Sequence, residues 1–123
     1  MLLKKLNTIT FGKNEFIFKI FYSTEKWDYR RKEEIEKEIK DSQCHPANDE
    51  DLEVFKKCGG ENVQPNNLIA LESEPSPFNT YNHSYLCLPG GPGIDKTIYS
   101  VTKKPGELWE CWVYSFLGVV EQK

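Results

Sequence analysis

The stretch KTIYSVTKKPGELWECWVYSFLG, residues 96–118, decides the fold. Two runs rich in β-branched and aromatic residues flank Lys103, Lys104, Pro105 and Gly106, which form a turn signal. The segment therefore reads as two strands, residues 96–102 and 108–117, paired antiparallel. Period-two alternation puts Trp109, Cys111, Val113 and Ser115 on one face of the second strand. Leu108, Glu110, Trp112, Tyr114 and Phe116 fall on the other. Both faces carry large rings, so this strand is expected at the centre of a sheet, covered on both sides.

Upstream, NEFIFKIFY, residues 14–22, is dense in Phe and Ile and too short for a helix, and it reads as a buried strand. DYRRKEEIEKEIKDS, residues 28–42, is built from helix formers, and a helix is expected over 28–41 with Trp27, Ile35 and Ile39 as its apolar edge. The helix expected over 48–58 is better marked. Asn48 can cap it, three acids sit in its first turn, Lys56 and Lys57 close it, and Gly59 suits the left-handed closing position. NNLIALES, residues 66–73, reads as a short strand. This order of elements predicts an α+β fold, a small mostly antiparallel sheet with two helices, in a single domain over residues 1–123.

Composition narrows the function classes. Aromatic residues are 13% of the 123-residue chain, so rings carry much of the burial. The net charge of −3 argues against nucleic acid as a partner, because phosphate neutralisation calls for a basic excess. Lys4 and Lys5 interrupt the apolar start, which is not expected to act as a signal peptide. No run approaches the roughly 20 apolar residues that span a bilayer, so no membrane insertion is expected. Cys44, Cys58, Cys87 and Cys111 show no C-x-x-C pairing and are expected to be mostly free thiols. Cys44, His45 and Cys58 are poorly spaced for zinc, and neither a metal nor another cofactor is expected.

The remaining stretch, SPFNTYNHSYLCLPGGPGI (residues 76–94), reads as an ordered loop of turn formers and aromatics. It resembles the signature of the endolytic murein transglycosylases of the MltG/YceG type, in which Ser-Pro-Tyr-Asn-Thr-Tyr leads into Gly-Leu-Pro-Pro-Gly-Pro-Ile. Ser76, Pro77, Asn79, Thr80 and Tyr81 match the first half, and Leu88, Pro89, Gly91 and Pro92 match the second. Phe78 stands where that family prefers Tyr, Gly90 replaces a Pro, and Gly93 is an extra residue before Ile94. Upstream, IEKE at residues 35–38 is similar to the family's Ile-x-Glu-Lys-Glu, which carries its catalytic acid. Val54, Phe55 and Gln64 can be laid on a third segment, and the three matches keep the family's order. Beyond Ile94 the family turns into a helix, whereas TIYSVT here reads as extended.

The resemblance implies peptidoglycan glycan strands as substrate and a lytic transglycosylase reaction, for which one protonated carboxyl suffices because the sugar's own hydroxyl closes the anhydro ring. Ile35 and Ile39 lie on one helical stripe, and Glu36 and Glu38 flank it at similar angles, so periodicity does not choose between them. The family match points to Glu36, with Glu38 as the second candidate. Both also read as solvated charges pairing with Lys32 or Lys40. Gln64, Asn79, Thr80, Tyr81 and His83 are the expected glycan-binding residues, with Tyr85 able to stack on a pyranose. Two other readings stand beside the enzyme: a non-catalytic module that binds glycan or a protein partner, and a small phage or defence effector. The location follows the reading, the cell envelope for a murein enzyme and the cytoplasm otherwise.

Overall fold

The computed structural model describes residues 4–13, 15–73, 82–91 and 95–121. In chain order its elements are strands β1 (Asn7–Lys13), β2 (Phe16–Tyr22) and β3 (Tyr29–Arg30), helix α1 (Lys32–Asp41), strand β4 (Cys44–Pro46) and helix α2 (Asp49–Lys57). A 3-10 turn (Gly60–Asn62) follows, then strands β5 (Asn67–Ala70), β6 (His83–Leu88), β7 (Tyr99–Lys103), β8 (Trp109–Glu110) and β9 (Tyr114–Val120). The main sheet runs β1-β2-β9-β5-β6-β7, with β4 also paired to β9, and β3 and β8 form a separate pair. Among the described residues only β5 and β9 run parallel; every other pairing is antiparallel. This is an α+β fold, as the order of elements predicts.

Alternation along the strands builds a core on each face of the sheet. Ile35 and Ile39 of α1 pack with Phe21, Ile69, Tyr85, Trp109 and Phe116. Leu52 and Phe55 of α2 pack on the opposite face with Phe18, Leu68, Leu88 and Leu117. Neighbouring residues Phe116 and Leu117 thus point into different cores, and β9 is the doubly covered central strand. Helix α2 follows its sequence signals. The Asn48 Oδ1 accepts from the Asp51 amide at 2.9 Å, and Gly59 takes the left-handed conformation at φ +85°.

Three expectations are corrected. Residues 96–102 and 108–117 do not pair with each other. β7 pairs with β6, β8 pairs with β3, and β9 lies between β2 and β5. A turn over residues 111–113, closed by the Val113 amide on the Glu110 carbonyl at 2.9 Å, breaks the second run. It also reverses the alternation, so that Trp109 and Cys111 share a core with Phe116. Second, α1 starts at Lys32 and not at residue 28, because Tyr29 and Arg30 are committed to pairing with Glu110 and Trp109. Third, the stretch 76–94 is not one loop, since it contains β6, an interior strand whose Tyr85, Cys87 and Leu88 are buried.

Gly90, which departs from the family pattern, has a local cause. A Cβ there would lie 2.3 Å from the Asn66 carbonyl oxygen, and the Gly90 amide donates to Asn67 Oδ1 at 3.2 Å. Proline would supply a clashing ring and no N–H. Gly90→Ala is expected to cost about 1–3 kcal/mol in chemical denaturation, as overpacking against a fixed backbone does. No described helix is long and apolar enough to cross a membrane.

All four cysteines are free thiols, and only Cys58 is not buried. Burial pushes Cys87 up to about 11 and Cys111 up to about 12. Alkylation without reductant should therefore modify Cys58 first in native protein, and all four only after unfolding, as read by intact mass.

Candidate functional site

Helix α1 carries both candidate acids, and the structure gives them opposite surroundings. Glu38 accepts from Arg30 Nη1 at 3.0 Å and from the Leu6 amide. Arg30 also binds Asp28 Oδ1 at 2.9 Å, and its side chain is only 5% exposed. Burial is the largest single influence and would raise the Asp28 carboxyl; the hydrogen bonds from Arg30 and Ser23 and the Arg30 charge together outweigh it and hold Asp28 below its ordinary value. Glu38 therefore belongs to a buried ion-pair network that fastens the chain before β1 to α1.

Glu36 lies on the other flank of the Ile35–Ile39 stripe. Its carboxyl is pushed above the ordinary glutamate value, first by burial and next by a hydrogen bond with the Glu72 side chain, whose negative charge adds to the effect. Lys32 and Lys40, one turn away on either side, oppose the shift. Glu72 is fixed because the chain is pinned on both sides of its side chain. Its amide donates to the Ala47 carbonyl at 2.9 Å. Next to it, buried Ser73 accepts from the Leu86 amide at 2.7 Å and donates to the Ala70 carbonyl at 2.5 Å. The Glu36 carboxyl on α1 thus lies beside that of Glu72 in the turn after β5, an arrangement that favours keeping a proton on Glu36.

One turn towards the start of α1, a cavity of about 220 Å³ opens between the helix and β6 and β7. Its lining includes Lys32, Glu33, His83, Tyr85, Lys103 and Trp109. The Lys32 ammonium sits 5.4 Å from the Tyr85 ring centroid, and Lys103 sits 4.7 Å from that of Trp109. Burial is the main cause raising the Tyr85 phenol; Lys32 opposes it, and the nearby charge of Glu36 adds to it. Tyr85 therefore links the cavity to the carboxyl pair.

Among the residues expected from sequence, Glu36 and His83 come to this region. Glu38 does not act there, because Arg30 occupies it. Gln64 is elsewhere: its Nε2 donates to the Asn66 and Leu88 carbonyls at 2.8 and 3.0 Å. Leu88 and His83 are opposite ends of β6, five residues or roughly 17 Å apart along the strand. Gln64 is thus a brace between the 3-10 turn region and β6. Asn79, Thr80 and Tyr81 lie outside the described residues. Glu72 was not singled out by the sequence. Its one signal is an acid directly after the apolar run LIAL, where the chain leaves the sheet. Among the described residues no group of three His, Cys, Asp or Glu side chains is placed to hold a metal ion.

A second surface feature lies on the β3–β8 pair. Trp27, 74% exposed and held at φ +71°, approaches Trp112 with ring centroids 5.7 Å apart, and Tyr29 meets Trp112 edge-on at 5.0 Å.

The raised Glu36 carboxyl sets the sign of a pH effect. Its protonated form is favoured by folding, so its contribution to stability is present below the unfolded glutamate pKa and is lost as pH rises through the folded value. Glu36→Gln, which mimics the protonated state, is expected to raise Tm at neutral pH and to flatten Tm against pH above the acid range. Glu38→Gln is expected to lower Tm, because it weakens a charge-assisted bond worth about 1.5–3 kcal/mol. Parallel thermal melts of the two variants check both signs. Comparison of the chain with protein-family models, curated proteins and solved structures finds no match.

Proposed function

We propose that the chain cleaves peptidoglycan glycan strands by a lytic transglycosylase mechanism with Glu36 as the general acid and base. The observation that carries this reading is the Glu36–Glu72 carboxyl pair, which favours a proton on Glu36 beside a cavity lined by Tyr85. Support from sequence is the likeness of residues 35–38 and 76–94 to the murein transglycosylases.

In this mechanism the Glu36 carboxyl gives its proton to the glycosidic oxygen as the C1–O bond breaks, and the glycan beyond that oxygen leaves as an alcohol. The 6-hydroxyl of the cleaved sugar then attacks C1, and its proton passes to the Glu36 carboxylate. The acid is restored, no water is consumed, and the product ends in a 1,6-anhydro ring. Glu72, beside Glu36, disfavours the ionised Glu36 carboxyl and so favours the return of the proton to it, and Lys32 offers its charge to the Glu36 carboxylate formed midway. Such a substrate implies action in the cell envelope.

The second reading, a non-catalytic module, has its own observation in Trp27, Tyr29 and Trp112. Exposed Trp27 and Tyr29, clustered on the half-buried Trp112, suit a contact with a sugar face or a protein partner. Purified murein separates the two. Wild-type protein is expected to release anhydro-ended muropeptides. Glu36→Gln should lower the rate by about 10²–10⁴-fold, the usual worth of a positioned acid, while Glu38→Gln, where it stays folded, keeps the wild-type rate. Sedimentation with murein but no anhydro product from wild-type protein would overturn the enzyme reading in favour of the module.

A further inference from the structure

The cavity between α1 and β6–β7 has a charge pattern of which the acid chemistry of Glu36 uses only Lys32. Four cations line it, Arg31, Lys32, Lys103 and Lys104, against two acids, Glu33 and Glu107, a formal excess of +2. The whole chain carries −3, so the excess is local and opposite in sign to the protein as a whole. Lys103, 7% exposed, is committed: its Nζ binds Glu107 Oε2 and the Leu108 carbonyl, each at 3.2 Å. The salt bridges among the described residues engage Lys103 but not Arg31, Lys32 or Lys104. With Lys103 paired to Glu107, Glu33 is the one remaining acid in the lining, and Glu36, outside the lining, lies within electrostatic reach of Lys32.

The fold holds the Lys32 side chain and fixes the backbone that carries Arg31 and Lys104. Tyr85 keeps the Lys32 ammonium over its ring. The turn carrying Lys104 is closed by the Glu107 amide on the Lys104 carbonyl at 3.0 Å and by the Lys104 amide on Glu107 Oε1 at 3.1 Å. Arg31 is set by the start of α1, where the Glu34 side chain accepts from its amide at 3.1 Å. The first residues of the ten-residue helix, Lys32 and Glu33, line the cavity, so the positive end of its dipole is nearby.

We propose that this cavity binds a phosphate monoester dianion, with Arg31, Lys32 and Lys104 around the phosphate. Two negative charges match the excess of two, and an arginine with two lysines supplies both fork-shaped and point donors to tetrahedral oxygens. The site takes a phosphorylated small molecule or a terminal phosphate; its binding does not require Glu36 to be a catalytic acid, and the two share only Lys32.

Amide chemical-shift titration of the full chain tests this, with inorganic phosphate and glycerol 3-phosphate as probes at slightly alkaline pH. Dimethyl phosphate, a monoanion of the same shape, is the comparison at matched ionic strength. Saturable shifts confined to the first turn of α1 and residues 103–107 are expected with the two dianions, weakening as salt rises. Lys104→Gln and Arg31→Gln should each weaken binding by roughly tenfold, the worth of one charge-assisted bond. Lys37→Gln, an exposed lysine of the same helix outside the cavity, should leave it unchanged. Glycerol 3-phosphate binding where inorganic phosphate fails would still support the monoester site, with contacts to the organic body. Absence of saturable shifts with either dianion overturns the proposal. So does equal affinity for dimethyl phosphate, or unchanged binding in both cavity variants.

Discussion

The constraint on which the molecule depends is the double burial of β9. Phe116 points into one core and Leu117 into the other, so apolar cover is needed on both faces. Each helix has one apolar stripe and can cover one face only, which places α1 and α2 on opposite sides of the sheet. From that division the rest follows. α1, short and heavily charged, lies over the face where Tyr85 and Trp109 emerge, and its polar flanks meet the loops and strand ends around that face. α2, with Leu52 and Phe55, covers the face where no candidate acid lies.

Where the fold was legible, the signal was local. Asn48 and the acids after it, Lys56, Lys57 and Gly59 carry their own capping chemistry, and α2 falls within a residue of its expected bounds. The run FIFKIFY is a strand wherever it pairs. Partners were not legible, because pairing is decided by residues far away in sequence. A Lys-Lys-Pro-Gly turn between two strand-like runs signals a hairpin, yet β7 finds β6 instead, and Lys103 turns inward onto Trp109. The α1 C-terminus gave no glycine or asparagine signal either; Gln43 takes the left-handed position at φ +62°.

The site was legible by half. Glu36 stood out by its likeness to a murein-enzyme pattern and His83 by its capacity to hydrogen-bond, and both adjoin one region of the molecule. Gln64 stood out by the same likeness and is a backbone brace some distance away. Residue type and order could not separate these cases, since an amide that binds sugar hydroxyls binds main-chain carbonyls equally well. Glu72 carried no pattern at all, because its significance comes from α1 packing against the end of β5.

The two glutamates on α1 show how tertiary contacts assign roles that a helix leaves open. Glu36 and Glu38 are the same residue type, two positions apart, flanking the same stripe at similar angles. An isolated helix would treat them alike. In the fold one flank meets Arg30, brought there by the β3–β8 pairing, and the other meets Glu72, brought there by β5. A buried carboxylate beside a guanidinium is stabilised as a charge and helps to fix structure. A carboxyl pressed against a second carboxyl favours keeping a proton, which disfavours folding at neutral pH and equips the group to give that proton away. A stabilised charge and a favoured proton are therefore divided between the two flanks of one helix, and the division is set by the strands that pack beside it.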